Sequence, residues 1–227
     1  MARTHYPVDA EHVMRELSRV DRHLARVIRR VGSFPTKRRK PQHPYASLLQ
    51  AIVYQQIAGK AAEAIFGRVK ALGANGLPTP EEIVRASKAK LRRAGLSRQK
   101  IAAVKDLAAK TLDGTVPPLA KIRRMTEEEI HERLTQVHGI GEWSVQMFLI
   151  SRLGRPDVLP VHDYGIRKGF QRVYGLKDVP KPQVILEHGE RWRPYRSIAS
   201  WYLWRALDEK RTKPQRKTKV KKISASR

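Results

Sequence analysis

The 227-residue chain has no cysteine, and its 21 acidic residues are outnumbered by 47 lysines and arginines. A chain without cysteine forms no disulfide, has no thiol nucleophile and cannot hold a cysteine-ligated iron–sulfur cluster. The sequence also lacks an apolar run long enough to span a membrane and an apolar N-terminal segment of the signal-peptide kind. We therefore expect a cytoplasmic protein with no membrane partner.

The excess of basic residues is the most prominent feature of the composition. A net charge of +26 implies a polyanionic partner such as a nucleic acid. Charge alone does not separate an enzyme that acts on DNA from a ribosomal or other RNA-binding protein. Hydrophobic residues make up 41% of the chain, which is enough for a core. The length fits one domain, or two small lobes around a cleft.

Apolar residues recur at helical spacing along most of the chain, and no strand-like alternation of any length occurs. This pattern predicts one amphipathic helix over residues 9–31. Thr126, with Glu129 three residues later, is a capping box that predicts a helix over 126–137. Further helices are predicted over residues 45–57, 59–72, 80–86, 88–94, 97–112, 182–188 and 194–208. The chain is thus predicted to be all-α.

The segment 134–170 combines two features that point to chemistry. Gly139 and Gly141 lie between two helical patterns, where glycine allows a tight turn and lets backbone N–H groups approach an anion such as a phosphate. Asp163 follows a short apolar run and opens the next helix. Taken singly, the glycines are typical of a helix–helix turn and Asp163 is typical of an N-cap. Together, in so basic a chain, they predict a phosphate anchor beside a reactive carboxylate.

Two stretches of this region, 134–145 (LTQVHGIGEWSV) and 159–169 (LPVHDYGIRKG), resemble the helix–hairpin–helix glycosylase superfamily. Within it, the chain is most similar to the alkylbase branch, the 3-methyladenine DNA glycosylase II type. Supporting segments occur at residues 51–58, 60–66, 96–100 and 192–197. The resemblance covers roughly residues 9–208. It implies two small helical lobes around a DNA-binding cleft, with the helix–hairpin–helix at about 126–150. The expected domains are a glycosylase domain, 1–208, and a disordered basic tail, 209–227.

The same resemblance implies roles for individual residues. Asp163 is the expected catalytic acid. The expected walls of the base pocket are Trp143, Met147, Trp204 and Tyr54. The expected DNA contacts are His138, Gly139, Gly141, Lys168 and Gln56, the last of which would enter the gap left by a flipped base. The chain departs from the family pattern at His138, where the family has proline, and at His162, where it has a second acid. The histidine at 162 leaves Asp163 as the acid of this segment.

The expected activity is that of a monofunctional glycosylase, which extrudes an alkylated purine from duplex DNA and hydrolyses its glycosidic bond. Superfamily members that also cut the backbone use a lysine two residues past the second glycine, and here that position is Trp143. We expect no metal or other cofactor, a monomer, and damaged double-stranded DNA at the nucleoid as partner. Two alternatives stay open: a related enzyme for a neutral lesion such as uracil or an oxidised purine, and a noncatalytic DNA-binding module.

Overall fold

The computed structural model describes residues 8–36, 43–57 and 59–208. The predicted basic tail, 209–227, lies outside these described residues. Within them the chain is helical and forms no strand, apart from one isolated bridge between Gly73 and Gly76. The prediction of an all-α fold is therefore confirmed.

The described residues form thirteen α-helices. In chain order they are α1 (Ala10–Val20), α2 (Arg22–Val31), α3 (Pro44–Tyr54), α4 (Gly59–Lys70), α5 (Pro80–Arg85), α6 (Lys88–Arg93), α7 (Arg98–Leu112), α8 (Leu119–Ile122), α9 (Glu127–Leu134), α10 (Glu142–Phe148), α11 (Tyr164–Tyr174), α12 (Pro182–Gly189) and α13 (Arg196–Asp208). A short π-helix, Leu149–Leu153, extends α10, and a 3-10 turn, Glu190–Trp192, follows α12.

The helices pack in two groups. Helices α1, α2, α11, α12 and α13 come from the two ends of the described chain and pack on one another. The middle of the chain forms the second group, in which α3 and α5 pack against α7, and α10 packs on α3 and α9. One continuous set of buried apolar side chains joins both groups. The segment between α10 and α11 connects the groups, so α11 begins at their boundary.

The prediction of one helix over residues 9–31 is wrong, because the helix breaks at Asp21. Its carboxylate accepts hydrogen bonds from the backbone N–H groups of His23 and Leu24, both at 3.0 Å, and thereby caps α2. Asp21 is only 4% exposed and also accepts a 2.9 Å hydrogen bond from the indole N–H of Trp192. The apolar spacing continues across the break because α1 and α2 both face the core.

The two helices that end beside the candidate site, α9 and α3, both end earlier than predicted. The capping box is confirmed, since Thr126 accepts from the backbone N–H of Glu129 and Glu129 accepts from that of Thr126. Its helix, α9, ends at Leu134 rather than at residue 137. Likewise α3 ends at Tyr54, and Gln56 has a φ of 57°.

Candidate active site at the helix–hairpin–helix

The hairpin, residues 135–141, connects α9 to α10 through a turn that needs glycine. Gly139 has a φ of 79°, a conformation that other residues adopt only with strain. The N–H of Ile140 bonds to the carbonyl of Val137 at 3.0 Å and closes the turn. Within the described residues, the N–H groups of Gly139 and Gly141 make no hydrogen bond. A β-carbon added at Gly141 would meet no atom within 4 Å. Both N–H groups are therefore available to an external anion.

Two side chains of helix α7 form hydrogen bonds with the backbone of the hairpin. The Asp106 carboxylate accepts the backbone N–H of His138 at 2.7 Å and pairs with the ammonium of Lys110 at 3.0 Å. Lys110 also donates to the carbonyl of Gln136. Burial alone would raise the pKa of Asp106, but these donors outweigh it and the pKa lies below its usual value. The backbone N–H of His138 is thus already used, and its exposed side chain is what remains for a ligand.

Asp163 is an N-cap and also receives two indole N–H groups. One carboxylate oxygen, Oδ1, accepts from the backbone N–H of Ile166 at 2.8 Å and from the indole of Trp204 at 2.9 Å. The other, Oδ2, accepts from the indole of Trp143 at 2.8 Å. A carboxylate has about four acceptor positions, so one on Oδ2 is left over. The capping and the chemical interpretation of Asp163 are compatible, because the cap uses only Oδ1.

Two glycines on one face of α11 allow Trp204 to reach Asp163. A β-carbon at Gly165 would lie 2.9 Å from Asp163 Oδ1 and 3.0 Å from the indole of Trp204. A β-carbon at Gly169, one turn later, would lie 2.3 Å from the carbonyl oxygen of Leu203. Helix α13 can therefore approach the backbone of α11 closely and carry its indole to the carboxylate.

A cavity of about 760 Å³ opens between the hairpin, α10 and α3. It has aromatic, thioether and polar walls. The lining side chains include Ser47, Gln50, Tyr54, Gln55, Gln56, Trp143, Met147, Phe148 and Arg152. Trp143 is 47% exposed, although it is large and apolar. Because its ring lines the cavity while its N–H holds Asp163, Trp143 connects the carboxylate to the cavity.

The segment after α3 is tied to the hairpin and to α7. The Gln55 amide donates to the carbonyl of Gly139 at 2.9 Å. The Lys100 ammonium donates to the carbonyls of Val53 and Gln55, at 2.5 and 2.8 Å, and burial lowers the pKa of Lys100. These contacts hold Gln56, an exposed side chain at the cavity, in its left-handed conformation.

Comparison with known proteins identifies the family. Residues 49–194 match the model of the HhH-GPD superfamily base excision DNA repair proteins. The chain belongs to this superfamily. That match includes the hairpin, the cavity walls contributed by α10, and Asp163, but not Trp204 on α13.

Individual relatives agree with the family model. The chain is 40% identical over 191 residues to a protein of Schizosaccharomyces pombe named DNA-3-methyladenine glycosylase 1, covering 83% of this chain and 84% of the relative. The structure of the S. pombe 3-methyladenine DNA glycosylase in complex with abasic DNA has a TM-score of 0.78 at 38% identity, covering 86% and 95% of the two chains. A DNA-3-methyladenine glycosidase from Bacillus halodurans has a TM-score of 0.77 at 33% identity, covering 86% and 88%.

The structure gathers most of the predicted site residues. Tyr54, Gln56, Trp143 and Met147 line the cavity. Trp204, predicted as a pocket wall, does not line the cavity but contacts Asp163 directly. The predicted DNA contacts at the hairpin lie beside the cavity, since Gly139 is one of its lining residues.

Lys168 stands apart from the other predicted contacts. Its ammonium donates to the side chain of Gln171 at 3.1 Å and lies 5.9 Å from the ring centre of Tyr164. It is therefore held along α11, on the helix that Asp163 opens.

Several residues at the site were not anticipated from the sequence. Gly165 and Gly169 form a Gly-x-x-x-Gly spacing that indicates close helix packing, so a signal existed. Ser47, Gln50 and Arg152 line the cavity, but nothing in the local pattern of α3 or of the π-helix predicts this. Across the described ranges no group of three or more histidine, cysteine, aspartate and glutamate side chains could hold a metal ion. No helix of the described part is long and apolar enough to cross a membrane.

Proposed function

We propose that the protein is a monofunctional DNA glycosylase that flips alkylated purines out of duplex DNA and hydrolyses their glycosidic bond, leaving an abasic site. One observation carries the proposal: the Asp163 carboxylate is held by two indole N–H groups at 2.8 and 2.9 Å, and one of these indoles lines a cavity beside the hairpin. The names of the similar S. pombe and B. halodurans proteins agree with this activity.

The hairpin is the proposed anchor for the DNA backbone. The N–H groups of Gly139 and Gly141 make no internal hydrogen bond among the described residues and can donate to one phosphate. The His138 side chain and the ammonium of Lys168 would contact neighbouring phosphates. Such contacts position the duplex without reading its sequence. The net charge of +26 strengthens binding at low salt, because neutralised phosphates release counterions.

The cavity is the proposed receptor for the flipped base. Tyr54 and Trp143 offer electron-rich rings, and Met147, one turn after Trp143 on α10, lines the same space. A purine alkylated on a ring nitrogen is cationic, and a cation over an aromatic face gains roughly 0.5–2 kcal/mol. Gln56 is the residue proposed to enter the gap that the extruded nucleotide leaves in the duplex, since it is exposed at the cavity. Its strained backbone makes it a candidate for such a role.

The reaction breaks the bond between the sugar C1′ and the base nitrogen. An alkylated purine already carries positive charge, so it leaves with the bonding electrons and becomes neutral. Positive charge develops on the sugar, and the nearby carboxylate of Asp163 stabilises it. The open acceptor position on Oδ2 can orient a water molecule, which adds to C1′ and releases its proton to Asp163 or to solvent.

The nucleophile is proposed to be water rather than an amine. No lysine is among the side chains that line the cavity in the described structure, and Trp143 occupies the position of the family's Schiff-base lysine. Hydrolysis by water leaves the phosphodiester backbone intact. We further infer that residues 1–208 form the catalytic domain, that the tail adds nonspecific DNA contacts, and that the protein works as a monomer at the nucleoid without a cofactor.

The test uses duplex DNA treated with dimethyl sulfate. Released bases are identified by chromatography, and a parallel sample is treated with borohydride and run on a denaturing gel. We expect free methylated purines, strands that break only after alkali, and no covalent adduct. A borohydride-trapped adduct would show an amine nucleophile. Binding without release from methylated, uracil-containing or oxidised DNA would show a noncatalytic module.

A further inference from the structure

The turn after α3 contains a residue in an unfavourable conformation. Gln56 has a φ of 57°, and it is the only residue other than glycine with a positive φ in the described part of the chain. Such a conformation persists only where the surrounding structure imposes it. Because Gln56 is exposed at the cavity, the contacts that hold this turn also determine where its side chain is directed.

Lys100 supplies two of these contacts from the first turn of α7. Its ammonium donates to the carbonyls of Val53 and Gln55, at the C-terminal end of α3, where helix geometry leaves carbonyls without internal donors. In the described structure no carboxylate pairs with this partly buried ammonium, and burial lowers its pKa. Water could satisfy the same carbonyls without burying a charge. What the lysine adds is a fixed position for the turn.

The same helix also holds the phosphate-binding hairpin. Asp106 and Lys110 bond to the hairpin backbone, and Lys100 precedes Asp106 by six residues, which is about 9 Å along a helix. The Gln55 amide closes the arrangement by donating to the carbonyl of Gly139 at 2.9 Å. Helix α7 and this amide therefore set the distance between the turn and the hairpin.

We propose that Lys100 is a positioning residue for base flipping, which holds the turn so that the Gln56 side chain enters the duplex when the hairpin binds the DNA backbone. This rests on the proposed function, in which Gln56 fills the gap left by the flipped base. Lys100 does not line the cavity, so it acts through Gln56 rather than on the base. Without the ammonium the turn can relax, and the gap is filled for a smaller fraction of the time.

The proposal separates lesions that have a partner base from lesions that have none. Extruding a paired base costs the free energy of unpairing, and an unfilled gap lets the base return to its partner. A base opposite an abasic site has no pair to break or to re-form. A positioning defect should therefore slow release of a paired lesion and leave an unpaired one nearly unaffected. Loss of folded protein or of general DNA affinity would slow both equally.

The experiment places one lesion in two duplexes. An oligothymidine strand that contains a single adenine is methylated with dimethyl sulfate. It is then annealed to a strand that has either thymine or a stable abasic-site analogue opposite the adenine. Single-turnover release of 3-methyladenine from each duplex is measured by chromatography, and the readout is the ratio of the rate for the paired lesion to the rate for the unpaired one.

The variants differ in one contact each. Lys100→Met removes the ammonium and keeps the apolar stem. Its matched control is Lys105→Met on the same helix, where the ammonium donates to the carbonyl of Val84 at 2.9 Å, outside the turn. Both variants lose one positive charge, so the contribution of counterion release is matched. Gln55→Met removes the exposed bond to Gly139 and tests the turn from the hairpin side, even if Lys100→Met does not fold.

We expect Lys100→Met to slow release of the paired lesion about tenfold and release of the unpaired lesion less than about twofold. Gln55→Met should lower the ratio about threefold, and Lys105→Met should leave it unchanged. Gln56→Ala should also lower the ratio. Adding Lys100→Met to Gln56→Ala should have no further effect on it, because the lysine acts through that side chain.

A ratio that Lys100→Met and Gln55→Met both leave unchanged, with 3-methyladenine still released, would overturn the inference and leave the proposed function standing. A further fall of the ratio when Lys100→Met is added to Gln56→Ala would also contradict it. If the unchanged protein binds both duplexes and releases no 3-methyladenine from either, the proposed function fails and the inference fails with it.

Discussion

Two aspartates of this protein make nearly the same local structure and have different surroundings. Asp21 caps α2 and Asp163 caps α11, and each carboxylate also accepts at least one indole N–H. Asp21 is 4% exposed, whereas Asp163 is only partly buried and contacts a tryptophan of the cavity. Capping alone therefore does not distinguish a structural acid from a candidate catalytic one.

The remaining acceptor positions do distinguish them. Asp21 Oδ2 receives three groups, the hydroxyl of Tyr174 and the ring nitrogens of His188 and Trp192. Asp163 Oδ2 receives only the indole of Trp143. Burial alone would raise the pKa of Asp21, but the hydrogen bonds outweigh it and hold the pKa well below its usual range. Asp21 is saturated by the protein, while Asp163 has an acceptor position left for a reactant.

Asp163→Asn is expected to give the largest effect on base release, and to act mainly on chemistry. Asparagine caps helices about as well as aspartate, and with its oxygen kept at the cap its N–H₂ would face only the half-exposed indole of Trp143, so the melting temperature should fall much less than in Asp21→Asn. The lost charge should slow single-turnover base release by about 10²–10³-fold, while DNA affinity is kept. Base release and thermal unfolding are measured on the same preparation. A variant that releases base at the original rate would make Asp163 only a cap.

Asp21→Asn should show the reverse pattern. The amide would place an N–H₂ group among the donors around Asp21, so the free energy of unfolding should fall by about 3 kcal/mol. Base release per folded molecule should not change. The matched control is Asp9→Asn at the exposed cap of α1, where we expect a loss of about 0.5 kcal/mol or less. Equal losses in the two variants would contradict the contrast between saturated and exposed caps.

Acidity should remove the contribution of Asp21. Because its pKa is lower in the folded than in the unfolded protein, the stabilisation is complete above the unfolded value of about 3.9 and is lost as the pH falls through the folded value. The stability difference between the unchanged protein and Asp21→Asn should be constant above about pH 5 and shrink below about pH 4. Urea unfolding across this range measures it, and a constant difference down to pH 2 would exclude the linkage.

Substitutions at the two hairpin glycines should also affect DNA binding and stability separately. Their effects should be smaller than those of the aspartate variants. Gly141 has a φ of −104° and open space around it, so Gly141→Ala should fold normally and weaken binding about fivefold for all DNA sequences alike. Gly139→Ala should instead cost about 1–2 kcal/mol of stability, because its φ is 79°. Anisotropy titrations at fixed salt on several duplexes, with thermal unfolding, test both. A loss of affinity confined to one DNA sequence would indicate that the hairpin contacts bases rather than phosphates.

Much of the site follows from patterns that are local in the chain. The turn at Gly139, the capping box at Thr126 and the cap at Asp163 each depend on residues only a few positions apart, and local chemistry dictates them. The break at Asp21 was missed although its cap is also local, because the apolar spacing continues across it. The saturation of that cap could not be predicted, since its partners Tyr174 and Trp192 are more than 150 positions away.

The sequence by itself therefore determined the helical class, the basic character, the hairpin and the acid that follows it. Only the tertiary structure decided what surrounds that acid. Gly165 and Gly169 allow α13 to approach α11 and bring Trp204 to Asp163, while α3 and the π-helix bring Gln50 and Arg152 together across 102 positions. Contacts of this kind depend on how helices pack against each other. The spacing of residues within one helix specifies which face is apolar but not which distant side chain it meets.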